Sequence, residues 1–240
     1  MKWRPKQNRR VPAGCCRRRA GCLVAVILLM LLAAALLVWG GWASQAAAQS
    51  ASGSPIWLLI DNSDSMSELG GVGSDPEGLR FEAAKLFIAY LSETVPNHQV
   101  GIIFFGSEPE VIAELTSLKN ISERQALSNK LTSTELLGWT NPLAAIELAE
   151  SLTSTTGAPP VLDLLPDGKP ELNDPSFDAE RYQKALLAKS QQLTQKNIPL
   201  FTIQLVNEAT TQDVEIQTVW QPLWEGLSEA VAPCQVYLAT

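Results

Sequence analysis

Ile56-Trp57-Leu58-Leu59-Ile60-Asp61-Asn62-Ser63-Asp64-Ser65 runs from five consecutive apolar residues straight into a polar turn. An apolar run without alternation is what a strand buried on both faces requires. In the polar segment Asp61, Ser63 and Ser65 alternate with Asn62 and Asp64. A turn can project residues one, three and five toward a common centre while two and four point away. Asn62 and Asp64 are therefore expected as exposed turn residues.

Downstream, short apolar strands alternate with amphipathic helices. Ser74-Asp75-Pro76-Glu77 has the form of a capping box with Pro near the first helical position. The helix behind it is expected to turn Leu79, Ala83, Leu86, Phe87, Tyr90 and Leu91 to one face. Strands are predicted at 100–105 and at 110–118, the latter alternating as an edge strand does. Ser122 opens a short helix, and Thr140-Asn141-Pro142 another that runs through Leu152. A strand at Val161 to Leu165 precedes a long helix that aligns Tyr182, Leu186 and Leu193. A strand at 198–206, a helix at 219–231 with Trp220, Leu223, Leu227 and Val231 inward, and a short strand at 236–238 complete the pattern. This order predicts an α/β fold: a doubly wound, mostly parallel open sheet with helices on both faces.

In such a sheet ligands bind beyond the carboxyl ends of strands where the strand order reverses. The first strand runs into Asp61, and the strand at Val161 to Leu165 runs into Asp167-Gly168. If these two flank the reversal, Asp61 and Asp167 converge with Ser63 and Ser65, and Thr140 reaches the same place from its loop. Two carboxylates and three hydroxyls are all oxygen donors, the set a hard divalent cation such as Mg²⁺ or Mn²⁺ requires.

Asp61-x-Ser63-x-Ser65, the Gly138-Trp139-Thr140-Asn141 loop and Leu164-Leu165-Pro166-Asp167-Gly168 together resemble the metal-ion-dependent adhesion site of von Willebrand factor type A domains. The likeness extends over 56–240. It implies Ser63, Ser65 and Thr140 as direct ligands of Mg²⁺ or Mn²⁺, with Asp61 and Asp167 direct or water-bridged. It also implies a protein partner whose acidic side chain completes the coordination. Pro166 and Trp139 depart from the commoner Thr and Gly of the family at non-ligand positions, and Ala232-Pro233-Cys234 stands where Gly-Gly is usual. The family's last helix is not encoded between 238 and Thr240. An apolar strip beside the first and last strands is therefore expected, with self-association as one consequence.

Net charge is −7, but its distribution is uneven. The first 20 residues carry eight Lys or Arg and no acid, so the remainder holds ten bases against all 25 acids, a charge of −15. So acidic a body repels phosphate backbones and argues against nucleic-acid binding. Residues 1–22 read as a basic cytoplasmic head. Residues 23–42, an unbroken apolar run to Val38 followed by Trp39-Gly40-Gly41-Trp42, read as a transmembrane signal anchor. Residues 43–55 read as a flexible tether. Cations before the span and none just after it place 56–240 outside the cell as a single-pass protein. Cleavage near Ala48, within Ala46-Ala47-Ala48, would release it as a secreted domain instead. Cys15, Cys16 and Cys22 precede the span, which leaves Cys234 the one exported thiol and excludes an intradomain disulfide.

Enzyme readings find little support. A phosphatase of the haloacid-dehalogenase kind would need Asp at both ends of Asp61-Asn62-Ser63. A receiver domain would need an acidic pair to accompany Asp163 and Asp167. Serine hydrolysis would need a Gly-x-Ser-x-Gly elbow, which is absent, and His98, the one histidine, reads as a turn residue before a strand. Trp220 and Trp224 read as helix packing. Asp163 lies mid-strand in an apolar run and is costly if buried alone, unless a lysine pairs with it. Two classes remain: a cation-dependent adhesion module, and a scaffold subunit of a membrane complex whose metal is structural or absent.

Overall fold

The computed structural model describes residues 53–67, 73–132, 135–153, 158–205 and 212–229. Among these residues five strands form one mixed sheet: β1 (Pro55–Asp61), β2 (Gln99–Phe105), β3 (Glu110–Ser117), β4 (Val161–Leu165) and β5 (Leu200–Thr202). Their spatial order is β3-β2-β1-β4-β5. β1 pairs in parallel with both β2 and β4, β4 pairs in parallel with β5, and β3 is an antiparallel edge on β2. The chain therefore steps outward from β1 through β2 to β3, then returns to the other side of β1. The order reverses between β1 and β4, as the sequence required for convergence of their carboxyl ends.

Every residue of β1 is buried. Trp57 and Leu59 face a core built with Ile146, Tyr182, Trp220 and Trp224, while Ile56, Leu58 and Ile60 face a second with Phe81, Ile88 and Leu127. Trp57 is opposite Gly101 in the β1–β2 register, and a Cβ on Gly101 would run into the indole. The glycine lets a tryptophan lie flat on a central strand.

Five α-helices cover the described sheet: α1 (Leu79–Thr94), α2 (Ile121–Asn129), α3 (Pro142–Thr153), α4 (Ala179–Gln195) and α5 (Gln221–Glu229). Three differ from expectation in register. α1 starts at Leu79 after Gly78, not within Ser74 to Glu77. Asp75 caps it across a turn, accepting from the N–H groups of Leu79 at 2.7 Å and Arg80 at 3.0 Å. Its buried face is Arg80, Phe81, Ala84, Ile88 and Leu91, whereas Leu79, Leu86 (73 % exposed) and Tyr90 face outward. Both stripes satisfy helical spacing. The sheet took the one that places Phe81 against β2, with its ring centroid 5.4 Å from that of Phe104. α2 is capped by Asn120, whose side chain accepts from Ser122, so it opens before the expected serine. α5 is entered through a π-turn at Ile216–Trp220, with Trp220, Leu223 and Leu227 buried as expected.

α3 starts at Pro142 as predicted, and α4 buries the aligned Tyr182, Leu186 and Leu193. Asn141 Oδ1 accepts from Ala144 N at 3.3 Å ahead of Pro142, and Asp178 accepts from Arg181 N at 3.1 Å. β5 is shorter than the strand expected at 198–206, although Ile203 and Leu205 still donate to Leu164 and Pro166 of the β4 side. The hydrophobic span at 23–42, Val206, Val231, the strand at 236–238 and the strip expected beside it lie outside the described residues. Among the described residues no helix is long and apolar enough to cross a membrane.

Asp163 is buried in β4 between Leu58 of β1 and Phe201 of β5 in register, at 6 % exposure. No Lys or Arg among the described residues pairs with it, so burial alone pushes its pKa up to about 7. An acid raised in the folded state gives its full stability below the unfolded pKa of about 4 and loses it as pH rises toward 7. Over about three units the loss is about 4 kcal/mol. Asp163→Asn is expected to raise the melting temperature at pH 8 and to leave it nearly unchanged at pH 4. Equal shifts at the two pH values would assign the effect to packing instead.

Candidate cation site

The carboxyl ends of β1 and β4 deliver Asp61 and, two residues past β4, Asp167 to one crevice. Asp61 is fully buried, and its Oδ1 accepts from Ser63 twice, from N–H at 2.9 Å and from Oγ at 2.6 Å. Ser63 Oγ stands 2.9 Å from Ser65 Oγ, and Ser65 Oγ donates to Asp167 Oδ2 at 2.6 Å. The alternation read in Asp61-x-Ser63-x-Ser65 thus becomes a continuous string of polar atoms joining the two carboxylates. Asp64, between the serines, is exposed as expected.

Thr140 is buried in the neighbouring loop, its backbone paired with Glu171 through N–H to O at 2.8 Å and O to N–H at 3.0 Å. Gly138 O in the same loop accepts from Asp64 N at 2.8 Å and draws the two loops together. The hydrogen bonds that join the other four residues do not involve the Thr140 hydroxyl. On the far side, Gly168 O accepts from Trp224 Nε1 at 2.9 Å. Lys169 sits between Glu171 at 3.3 Å and Glu215 at 3.5 Å. Trp220 and Trp224 are fully buried and stacked, in the packing role expected of them. His98 closes the turn before β2 through Val95 O.

Among the described residues no Lys or Arg pairs with Asp61 or Asp167: Arg80 is held by Asp75 and Lys169 by Glu171 and Glu215. Burial, then the like charge of Asp167, push the Asp61 carboxyl well above the usual range, against the hydrogen bonds from Ser63 that lower it. Asp61 Oδ2 is buried with no hydrogen-bond partner. If Ser63 and Ser65 give their protons to Asp61 and Asp167, no proton remains for the 2.9 Å contact between their oxygens. Either a proton on Asp61 or a cation in the crevice relieves this. Among the described residues no three His, Cys, Asp or Glu cluster as metal ligands.

Asn62 is a correction. It is fully buried, because its backbone lies between Phe105 O, which accepts its N–H at 2.8 Å, and Leu137 N, which donates to its carbonyl at 2.9 Å. Its side chain donates to Glu135 O and accepts from Arg80 Nη2 at 3.0 Å. Arg80, Asp75 and Ser74, whose Oγ donates to Asp167 Oδ2 at 2.5 Å, are further residues of the site that the motif does not contain. Arg80 did carry a signal, since it stands on the four-residue row of Ala84 and Ile88.

Residues 56–169 match the family model described as the von Willebrand factor type A domain. No curated protein matches the sequence. Among solved structures, the fold is similar to the pilus adhesin SpaC from Lactobacillus rhamnosus GG, with TM-score 0.58 and 16 % identity over 78 % of this chain and 28 % of that one. A mutant of the PilB minor pilin from Streptococcus sanguinis gives 0.55 and 14 % over 78 % of this chain and 57 % of that one. The manganese-loaded TRAP protein of Plasmodium vivax gives 0.52 and 18 % over 78 % and 68 %. This chain therefore spans little more than a quarter of the adhesin's length, and at these identities the likeness is one of fold. Residues 56–169 are a von Willebrand factor type A domain, folded like the corresponding domains of pilus adhesins and TRAP.

Proposed function

We propose that this chain is an adhesion-type protein-binding module that holds Mg²⁺ or Mn²⁺ through Asp61, Ser63, Ser65, Thr140 and Asp167 and grips an acidic side chain of a protein partner. The observation that carries the reading is the buried Asp61 carboxylate. Its Oδ2 is unpartnered, and Oδ1 is linked through two serines to a second carboxylate at the point where the strand order reverses. A hard cation fits the oxygen-only donor set and supplies the charge that the two carboxylates lack. When bound, it offers an open coordination position to a carboxylate. The protein's part is to fix the geometry: Ser63 and Asp61 are held by the end of β1, Asp167 by the end of β4, and Thr140 by its bridge to Glu171. That the TRAP structure was obtained loaded with manganese agrees with this choice of metal.

The module is proposed to work outside the cell, attached through residues 23–42 or released near Ala48, where surface partners are within reach. The test is capture of surface proteins on the immobilised full chain in Mg²⁺ and again in EDTA. Capture in Mg²⁺ that EDTA abolishes and Mn²⁺ restores is the expected result. A partner retained equally in EDTA would favour the scaffold reading, in which the metal is structural or absent.

A further inference from the structure

We propose that Ser74 is a positioning residue of the cation site, holding the Asp167 carboxylate in the crevice, and that Gly73 is what allows it to arrive there. The inference rests on the proposed binding of a cation by Asp61 and Asp167. Within the β1–α1 connection, residues 74–75 lie alongside 65–66. Ser74 N donates to Ser65 O at 2.8 Å and Asp75 N to Met66 O at 3.2 Å, two rungs that bring 74–75 back against 65–66. A Cβ on Gly73 would collide with the Ser67 backbone, so only glycine permits this close return.

The return delivers Ser74 Oγ to 2.5 Å from Asp167 Oδ2 and 3.0 Å from Ser65 O. A single hydroxyl proton goes to the closer, charged acceptor. Asp167 Oδ2 then receives hydrogen bonds from two serines of the same loop, Ser65 at 2.6 Å and Ser74 at 2.5 Å. Both bonds fall on one oxygen. The rotation of the carboxylate is thereby fixed, and Oδ1 is kept free of these two hydroxyls and open to a ligand role. Ser65 cannot do this alone, because its Oγ is also in contact with Ser63 Oγ and is itself a candidate ligand. A hydroxyl outside the five-residue motif, with no proposed metal bond of its own, can hold the carboxylate whether or not a cation is bound. Groups that orient metal ligands in this way are worth about 10- to 100-fold in metal affinity.

The experiment titrates Mn²⁺ into the full chain in detergent by calorimetry, for the parent, Ser74→Ala, Ser74→Thr, Gly73→Ala and Asp61→Ala, with melting temperatures in EDTA recorded alongside. Expected are a drop of about tenfold or more in Mn²⁺ affinity for Ser74→Ala, a similar drop for Gly73→Ala, and affinity within about threefold of the parent for Ser74→Thr. The EDTA melting temperature of Ser74→Ala should stay close to the parent's. Unchanged affinity in Ser74→Ala, while Asp61→Ala loses binding, overturns this inference and leaves the cation site standing. Tighter binding in Ser74→Ala would show that Ser74 competes with the metal for Asp167, and overturns it too. Weaker binding that Thr does not rescue, accompanied by a lowered EDTA melting temperature, reduces Ser74 to a structural residue. A parent that binds no Mn²⁺ sinks both this inference and the reading beneath it.

Discussion

Asp61→Asn is expected to weaken Mn²⁺ binding by at least about a hundredfold and, in EDTA, to make the protein more stable than its parent. The two effects have one cause. A carboxylate with no exposed surface, beside a second carboxylate and with an unpartnered oxygen, costs folding free energy when the crevice holds no cation. The same charge is what holds the metal, and a hundredfold in affinity corresponds to about 2.7 kcal/mol. With Mn²⁺ at about 100 times its Kd the parent gains about 2.7 kcal/mol of stability by mass action, and the variant gains almost none. The melting curves of parent and variant should therefore cross on adding metal. Ser65→Ala should weaken binding strongly as well, while Asp64→Ala, on an exposed side chain between the two serines, should bind as the parent does. Calorimetry with Mn²⁺ and melting curves with and without EDTA check all three. An Asp61→Asn protein that binds like the parent would show the site to be misassigned, and one destabilised in EDTA would show that Asp61 is a structural group rather than a strained ligand.

Both carboxylates were legible in the sequence because Asp61 closes one largely apolar strand and Asp167 follows another by two residues, and parallel neighbours place their carboxyl ends along one edge of the sheet. The serines were legible because alternation in a turn has a geometric consequence. The features that stayed hidden depend on contacts between distant parts of the chain. Asn62 looked like a turn residue by its spacing, yet the backbone on either side of it is bonded to Phe105 and Leu137. α1 offered two apolar stripes, and nothing local says that Phe81 meets Phe104 while Leu86 meets solvent. Ser74 lies nine residues from Ser65, and only the close return at Gly73 brings the two together. Asp163 was recognised as costly, and the structure supplies no partner among the described residues to relieve it.

The second large effect should come from a residue that bears no part of the motif. Arg80 is 3 % exposed, with its guanidinium divided among three tasks. Nη1 pairs with Asp75 Oδ2 at 2.8 Å and donates to Asp75 O at 3.2 Å, Nη2 donates to Asn62 Oδ1 at 3.0 Å, and the ring of Phe81 lies beneath it at 4.1 Å. Nε is buried without a partner, so the cation is already under-satisfied. Asp75 is better served, since it also accepts the N–H groups of Leu79 and Arg80 at the start of α1. Removal of Asp75 strands a buried charge and uncaps a helix at once. Asp75→Ala is therefore expected to cost about 3–5 kcal/mol, in the range for breaking one side of a buried pair. Arg80→Met should cost less, because the two backbone donors still hold the Asp75 carboxylate. Arg80→Lys should recover little, because one ammonium cannot reach both Asp75 and Asn62 as a planar fork does. Urea unfolding followed by tryptophan fluorescence measures this, with the fully buried Trp57, Trp220 and Trp224 as reporters. In the double variant the costs should add to less than their sum, as they do for residues in direct contact. Strict additivity would mean that the pair is a bystander. Because Asn62 lies between Asp61 and Ser63, loss of its bond to Arg80 should also loosen the cation loop from the side of α1. The larger loss of Mn²⁺ affinity is then expected in Arg80→Met, which severs that bond, rather than in the less stable Asp75→Ala, which leaves it in place.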